Sequence, residues 1–398
     1  FRRRIATCKK ALRGRLDRAL IERWYSEWRP RLVADMARLR AIDLAALSDA
    51  QLAAHFEALR RWFNGACDVH FYLSGANGFP LARLAFFCRD HLGYDDLRTL
   101  AFTSGLSGAS SAPAIALAQL ADRLRADDAL RVALLEAKPA DVAAIIGRSG
   151  GDAAAAFRSY LDEYGYRALR YEVVEPTLGE EPQIVGQLLL DQLRHAFDVQ
   201  AEQEVLTRAR EQAKSAALAS LPDESRRAQF LELLADAERA YPVREDNEFY
   251  TVSVPLALCR FAALEASRRL VASDSIALPD DVFFLTWDDI VTALQVPSEA
   301  YAEQVVERRA AFDAAEAFEP PASYGAEPPP PPMSILPPAA REAMDVMMYV
   351  QRGVFEAEMS GARAESGRSS TGVSVRTWSR AMADAPSSLR RPTAGPTG

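Results

Sequence analysis

Lysine is nearly absent. It occurs only at Lys9, Lys10, Lys138 and Lys214, and arginine supplies the rest of the positive charge. Alanine is very abundant, so the bias reads as coding in a GC-rich genome and not as arginine chemistry. Cysteine is also scarce. Cys8, Cys67, Cys88 and Cys259 stand far apart with no CxxC pair, and the last three sit among apolar neighbours. Buried free thiols in a reducing compartment are the expected state. The histidines are His55, His70, His91 and His195, and no two share metal-ligand spacing. His55 and His195 fall on amphipathic stretches and read as structural. No GxxxxGK[ST] phosphate loop, no GxGxxG and no GxSxG elbow is present. The stretch Ser104-Gly-Leu-Ser107-Gly resembles the last superficially but reads as a helix-ending loop. No apolar run approaches the roughly 20 residues that cross a bilayer. No signal peptide opens the sequence, which implies a cytoplasmic protein without a membrane partner.

Positive charge is short overall. The net charge is −8 with a pI near 5.3, which disfavours a general nucleic-acid binder because counterion replacement needs a basic face. The cluster Arg2, Arg3, Arg4, Lys9, Lys10, Arg13, Arg15 and Arg18 is the local exception. It reads as the solvated face of a helix.

What is present is helix after helix over about 1–320, so the fold class is all-α, a multi-helix bundle-like domain. Ser48-Asp-Ala-Gln51 is a capping box, after which Leu52, Phe56, Leu59, Trp62 and Phe63 recur at helical spacing. Helical stretches follow at about 80–92, 112–125, 139–147 and 151–164. Residues 165–182 lose the periodicity and hold two prolines, two glycines and six charges, the pattern of a long ordered loop. Helices resume over about 183–240 and 244–272, with a kink or break expected at Pro255. Asp281-Val-Phe-Phe-Leu-Thr286 is short, apolar and β-prone; Thr286 and Ser298 then cap two more helices. Residues 321–338 read as a Pro-rich linker, 339–359 as a short helix and 360–398 as a disordered tail.

Three segments resemble a known family. Phe157-Arg-Ser-Tyr-Leu-Asp-Glu-Tyr-Gly-Tyr-Arg167, continuing to Glu172, Pro176 and Glu181-Pro182, is similar to the "F-x-x-Y-G-H-R-G … E … P … E-x-P" pattern of enzymes related to phosphoenolpyruvate synthase, rifampin phosphotransferases especially. Arg244-Glu245-Asp246, Arg268-Arg-Leu-Val271 and Leu278 to Thr286 resemble the family's "R-E … G-R-R-L … P-E-D-V-F-F-L-T". Arg308-Arg309 and Phe318-Glu-Pro-Pro321 resemble its "R-R … E-P-P". The resemblance spans roughly residues 24–322.

The resemblance implies a helical region that holds the phosphoryl acceptor. In the intact family an ATP-grasp domain uses ATP and Mg, and a swivelling domain carries a phosphohistidine. Neither motif occurs in this sequence, so a fragment or a split-enzyme component without a cofactor of its own is implied, with a small-molecule acceptor and a separate ATP-grasp or phosphohistidine chain as partners. The resemblance assigns no catalytic or metal residue here. It points to Arg167, Glu172, Arg244, Glu245 and Asp246 as lining an acceptor pocket, because guanidinium forks suit phosphate or carboxylate and carboxylates accept from hydroxyls. The competing reading makes these charges a crosslink between loop and helix start. Tyr166 stands where the family has His, and Ala168 where it has Gly. A non-catalytic interaction or regulatory module is the alternative function.

Overall fold

The computed structural model describes residues 2–106, 108–169, 171–195, 198–298, 300–319, 325 and 332–350. The expected tail at 360–398, and all of the Pro-rich linker up to residue 331 except Gly325, lie outside them. The described chain is all-α. Its helices are α1 (Arg2–Arg13), α2 (Leu16–Arg23), α3 (Arg29–Arg40), α4 (Asp49–Ala76), α5 (Gly78–Leu92), α6 (Asp96–Leu100), α7 (Gly108–Arg125), α8 (Asp128–Leu135), α9 (Val142–Ser149), α10 (Gly151–Tyr164), α11 (Pro182–His195), α12 (Val199–Ser220), α13 (Glu224–Glu248), α14 (Val254–Ala272), α15 (Trp287–Gln295), α16 (Ala300–Glu316) and α17 (Pro338–Met348). Among the described residues β pairing is limited to one isolated antiparallel bridge, Ala168 with Thr177.

The helices enclose three apolar clusters. Trp24, Leu52, Phe56, Leu59, Leu73, Val254, Ala262 and Leu270 belong to the first, built by α2, α3, α4, α14 and α15. The second is formed by α7 to α11 around Leu124, Leu134, Ile146 and Leu189. The third gathers α5, α12, α13 and α17 around Phe102, Phe230 and Leu234, with Val346 and Tyr349 seating α17. One helical rod links the first and third. From Glu224 to Ala272 the chain stays helical for 49 residues, about 70 Å at 1.5 Å per residue.

That rod corrects three expectations. Helical structure does not restart near residue 244; it runs through Pro242 inside α13. Nor does it break at Pro255. A π-helical turn, Phe249–Ser253, precedes that proline, and the Val254 N–H reaches back to the Phe249 carbonyl. The wider turn absorbs the missing donor and the ring's clash with the turn before it. The same solution appears at Trp24–Trp28, where the Arg29 N–H bonds the Trp24 carbonyl and Pro30 follows. The two π turns touch: Trp24 and Tyr250 lie 6.1 Å apart, and the Arg29 guanidinium sits 5.4 Å over the Tyr250 ring. Third, by length and composition this rod is apolar enough to cross a bilayer, which no run was expected to be; 67% of its most apolar window is buried by neighbouring helices, as in a core helix.

Local signals elsewhere act as read. Ser48 and Gln51 form the capping box of α4, and Thr286 and Asp289 that of α15. The β-prone stretch is instead a 3-10 helix, Pro279–Phe284. Asp281 accepts from the Ala277 and Leu278 N–H groups and winds the turn. The family-like arginines mostly brace this corner. Arg308 bonds the Phe284 carbonyl and Asp289, Arg309 pairs with Asp281, and Arg269 ties α14 to Asp49 and the Leu44 carbonyl.

Phe56 is fully buried in the first cluster against Trp287. Phe56→Ala is expected to lower unfolding free energy by about 3–5 kcal/mol, and Ser48→Ala by about 1 kcal/mol. Chemical denaturation measures both, and equal losses would contradict the ranking.

Candidate functional site

The stretch 165–181, irregular but for a 3-10 turn at Leu178–Glu180, leaves α10, lies against the rod and returns to α11. Its base closes where two glycines meet: the Gly179 N–H donates to the Gly165 carbonyl at 2.9 Å. A Cβ on Gly179 would come within 3.3 Å of that backbone, and one on Gly165 within 2.4 Å of the Leu161 carbonyl. Two further bonds, Leu178 N–H to the Arg167 carbonyl and Leu169 N–H to the Pro176 carbonyl, fold the stretch into a narrow loop. The Ala168 N–H then donates to Ser253 Oγ at 2.9 Å, fastening the loop to the π turn. Ala168 does not need a positive φ, so alanine is accommodated where the family has glycine.

Arg260 locks this loop from below. It rises from the middle of α14 and is 9% exposed. Its Nε donates to both Glu180 carboxylate oxygens, at 3.0 and 2.9 Å, and its Nη1 to the Val173 and Val174 carbonyls, at 3.1 and 2.7 Å. Burial would raise the Glu180 carboxyl, but the Arg260 bonds and the Thr177 N–H and hydroxyl outweigh it and hold it below its ordinary range. Sequence reasoning missed this pair. The available signal was one arginine inside the apolar run Val254 to Ala263.

The five expected site residues separate. Arg167 and Glu245 come together: the Arg167 guanidinium lies 4.5 Å over the Phe249 ring, and Glu245 faces its charge. Burial pulls the Arg167 pKa down, opposed by Tyr160, Glu245, Tyr164 and Tyr250 around it. Asp246 turns into the first cluster instead. It is 5% exposed, 3.2 Å from Arg29 Nε, and burial raises its carboxyl against the pull of Arg29 and Trp24. Arg244 is half-buried on α13, and Glu172 is exposed on the loop. None of the three α13 residues opens a helix; they lie in the last turns of α13, so a helix N-terminal dipole does not account for Glu245 and Asp246.

Glu248, one turn beyond Glu245, joins this group and was also missed. The loop's Tyr171 hydroxyl bonds it, yet its Oε1 is buried with no hydrogen-bond partner. Burial raises its carboxyl, and the like charge of Glu245 adds to that. Spacing of three on one helix was the signal that could have found it. Tyr166 takes a packing role. Its ring meets Phe261 edge-on at 5.3 Å, and Arg40 stacks over it at 4.2 Å. The Ser104-Gly-Leu motif is a loop, pinned through the Ser104 carbonyl by Arg210 at 2.6 Å; Ser107 lies outside the described residues.

A loop clamped over half-buried carboxylates and a buried guanidinium is now located within 157–260. Residues 70–245 match the family model for the rifampicin phosphotransferase fourth domain. Over this stretch the chain is similar to that fourth domain. A rifampicin phosphotransferase from Streptomyces sp is 30% identical over 189 residues, which is 43% of this chain and 20% of the relative. The chain thus matches about a fifth of that relative's length. The matched stretch takes in the loop, Arg167 and Glu245. Arg260, the π turn at Phe249–Ser253 and the Arg308-Arg309 segment lie past its matched end.

Because the Glu180 pKa is depressed on folding, its contribution is present above the ordinary value of 4.5 and is lost as pH falls through the folded value. Glu180→Gln is expected to cost about 1–3 kcal/mol at pH 7 and to flatten the loss of stability below that pH. A variant with the wild-type acid slope would contradict the clamp.

Proposed function

We propose that this helical region binds a small-molecule acceptor for phosphoryl transfer, between the 165–181 loop and the end of α13. One observation carries the reading: Glu248 Oε1 is buried without a partner, beside Glu245 and the loop's Tyr171, with Arg167 facing Glu245. An orphaned carboxylate oxygen in a fold costs about 1–3 kcal/mol, and an acceptor hydroxyl would satisfy it. The domain match supports the same reading, since the enzyme it belongs to is named for rifampicin.

In this proposal Arg167 and Glu245 orient the acceptor and Glu248 takes its hydroxyl. Such residues supply position and not a phosphoryl donor. The ATP-grasp and phosphohistidine parts would come from elsewhere, on another segment or a separate chain in the cytoplasm. Among the described residues no group of three or more His, Cys, Asp or Glu could hold a metal ion. The alternative is a non-catalytic interaction module, for which Glu248 would be an unfilled cost of folding.

Rifampicin binding to the purified chain, followed by calorimetry, tests the proposal. Arg167→Ala, Glu245→Ala and Glu248→Gln should each weaken binding at least tenfold with little change in melting temperature. Unchanged affinity with a lowered melting temperature would make these residues a structural crosslink. Purified chain given ATP and rifampicin alone is expected to yield no phosphorylated product.

A further inference from the structure

The last described helix is held by few contacts. α17 has Pro338 in its first turn and carries Val346, with Tyr349 and Val350 just past its end. Spacings of three and four place these side chains on one stripe. Val346 and Tyr349 are 3% and 7% exposed, and no other residue of 338–350 is buried. α14, by contrast, buries twelve.

The seat of this stripe is α5. Gly78 begins that helix, and a Cβ there would lie 2.5 Å from Val350 Cγ2, 3.8 Å from Val350 Cβ and 3.9 Å from Val346 Cγ1. The missing side chain is a notch that the stripe fills. The Tyr349 ring meets Phe86 edge-on at 5.9 Å, and Leu81, Ala82, Leu84 and Ala85 of the third cluster lie between Gly78 and Phe86 along α5. Arg83 reaches Glu342 at 3.5 Å, yet it also pairs with the buried Asp17 of α2 at 2.9 Å. The pair with Asp17 does not involve α17, so undocking leaves Arg83 matched. Arg260 and Glu180 differ, since separating them leaves both buried and unmatched.

α1 depends on the same helix. It buries no residue and packs chiefly on α17 and α2, and its Cys8 thiol donates to the Ala339 carbonyl at 3.4 Å. It joins α2 across Arg15, a non-glycine residue at φ 49°. Its Arg2, Arg3, Arg4, Lys9, Lys10 and Arg13 are all exposed.

We propose that this face of α5 is a helix-docking groove that holds residues 338–350 of this chain reversibly. α17 leaves and returns while the rest of the body stays folded, and α1 keeps its order only while α17 is seated. A helix on the same chain docks at a high effective concentration, so weak contacts suffice to seat it. Opening bares the apolar stripe of α5 and frees a basic arm. This device does not depend on the acceptor reading.

Native-state amide exchange on the full chain tests it. Amides of α17 and α1 should open together, about a hundredfold more often than those of α13. Val346→Asp should raise exchange in both α17 and α1 by roughly tenfold and leave α11 and α13 unchanged. A synthetic peptide of residues 333–350 should bind the Val346→Asp chain saturably and restore protection to α1. It should bind wild type about tenfold more weakly, because the groove there is filled. Adding Gly78→Leu to the Val346→Asp chain should abolish peptide binding, since the new side chain occupies the notch. A peptide carrying Tyr349→Ala should also fail to bind, which tests the same stripe without altering the body. α17 amides that exchange only with those of α13, α1 that stays protected when α17 is open, or a peptide that does not bind the Val346→Asp chain would each overturn the proposal.

Discussion

A single guanidinium in the core determines where the loop lies. Arg260 is carried by a helix whose neighbouring residues are almost all buried, and the desolvation of its charge has to be met. Glu180 supplies the opposite charge and two loop carbonyls supply the remaining acceptors. Removing either side leaves the other buried and unmatched. The loop is thus held by an interaction that the core itself requires, and its irregular backbone gains fixed partners.

The rod under the loop has its own constraint. Two prolines follow two π turns, and the turns pack against each other through Trp24, Tyr250 and Arg29. A π turn shifts the register of the side chains that follow it. Here it puts Ser253 under the Ala168 N–H and Thr251 beside His70. The Thr251 hydroxyl donates to the Asn247 carbonyl, so it accepts from His70 Nδ1–H at 3.0 Å. Loop and π turn are thus joined by direct contacts along a single long helix.

Much of this was legible in the residues. Periodicity and caps gave the all-α class, and the loss of periodicity between Gly165 and Glu181 gave the loop. Arg167 and Glu245 were singled out because their pattern resembles a family, and the structure sets them near each other. Three things stayed hidden. Pro255 reads as a break in any local rule, because the compensating π turn, which packs on Trp24 through Tyr250, is not marked in the local pattern. Asp246 reads as Glu245's companion, yet adjacent residues on a helix point about 100° apart, so one faces the cleft and the other the core. Arg260 and Glu180 lie 80 residues apart, and only the fold brings them together.

Amide hydrogen exchange across 167–178 in Arg260→Lys tests the central claim most directly. Lysine keeps the charge but cannot fork to a carboxylate and two carbonyls at once. Exchange in the loop should rise by about two orders of magnitude, corresponding to roughly 2–3 kcal/mol of lost local stability, while amides of α4 remain protected. Unchanged exchange in the loop would mean that Arg260 does not hold it and that the cleft is shaped by something else.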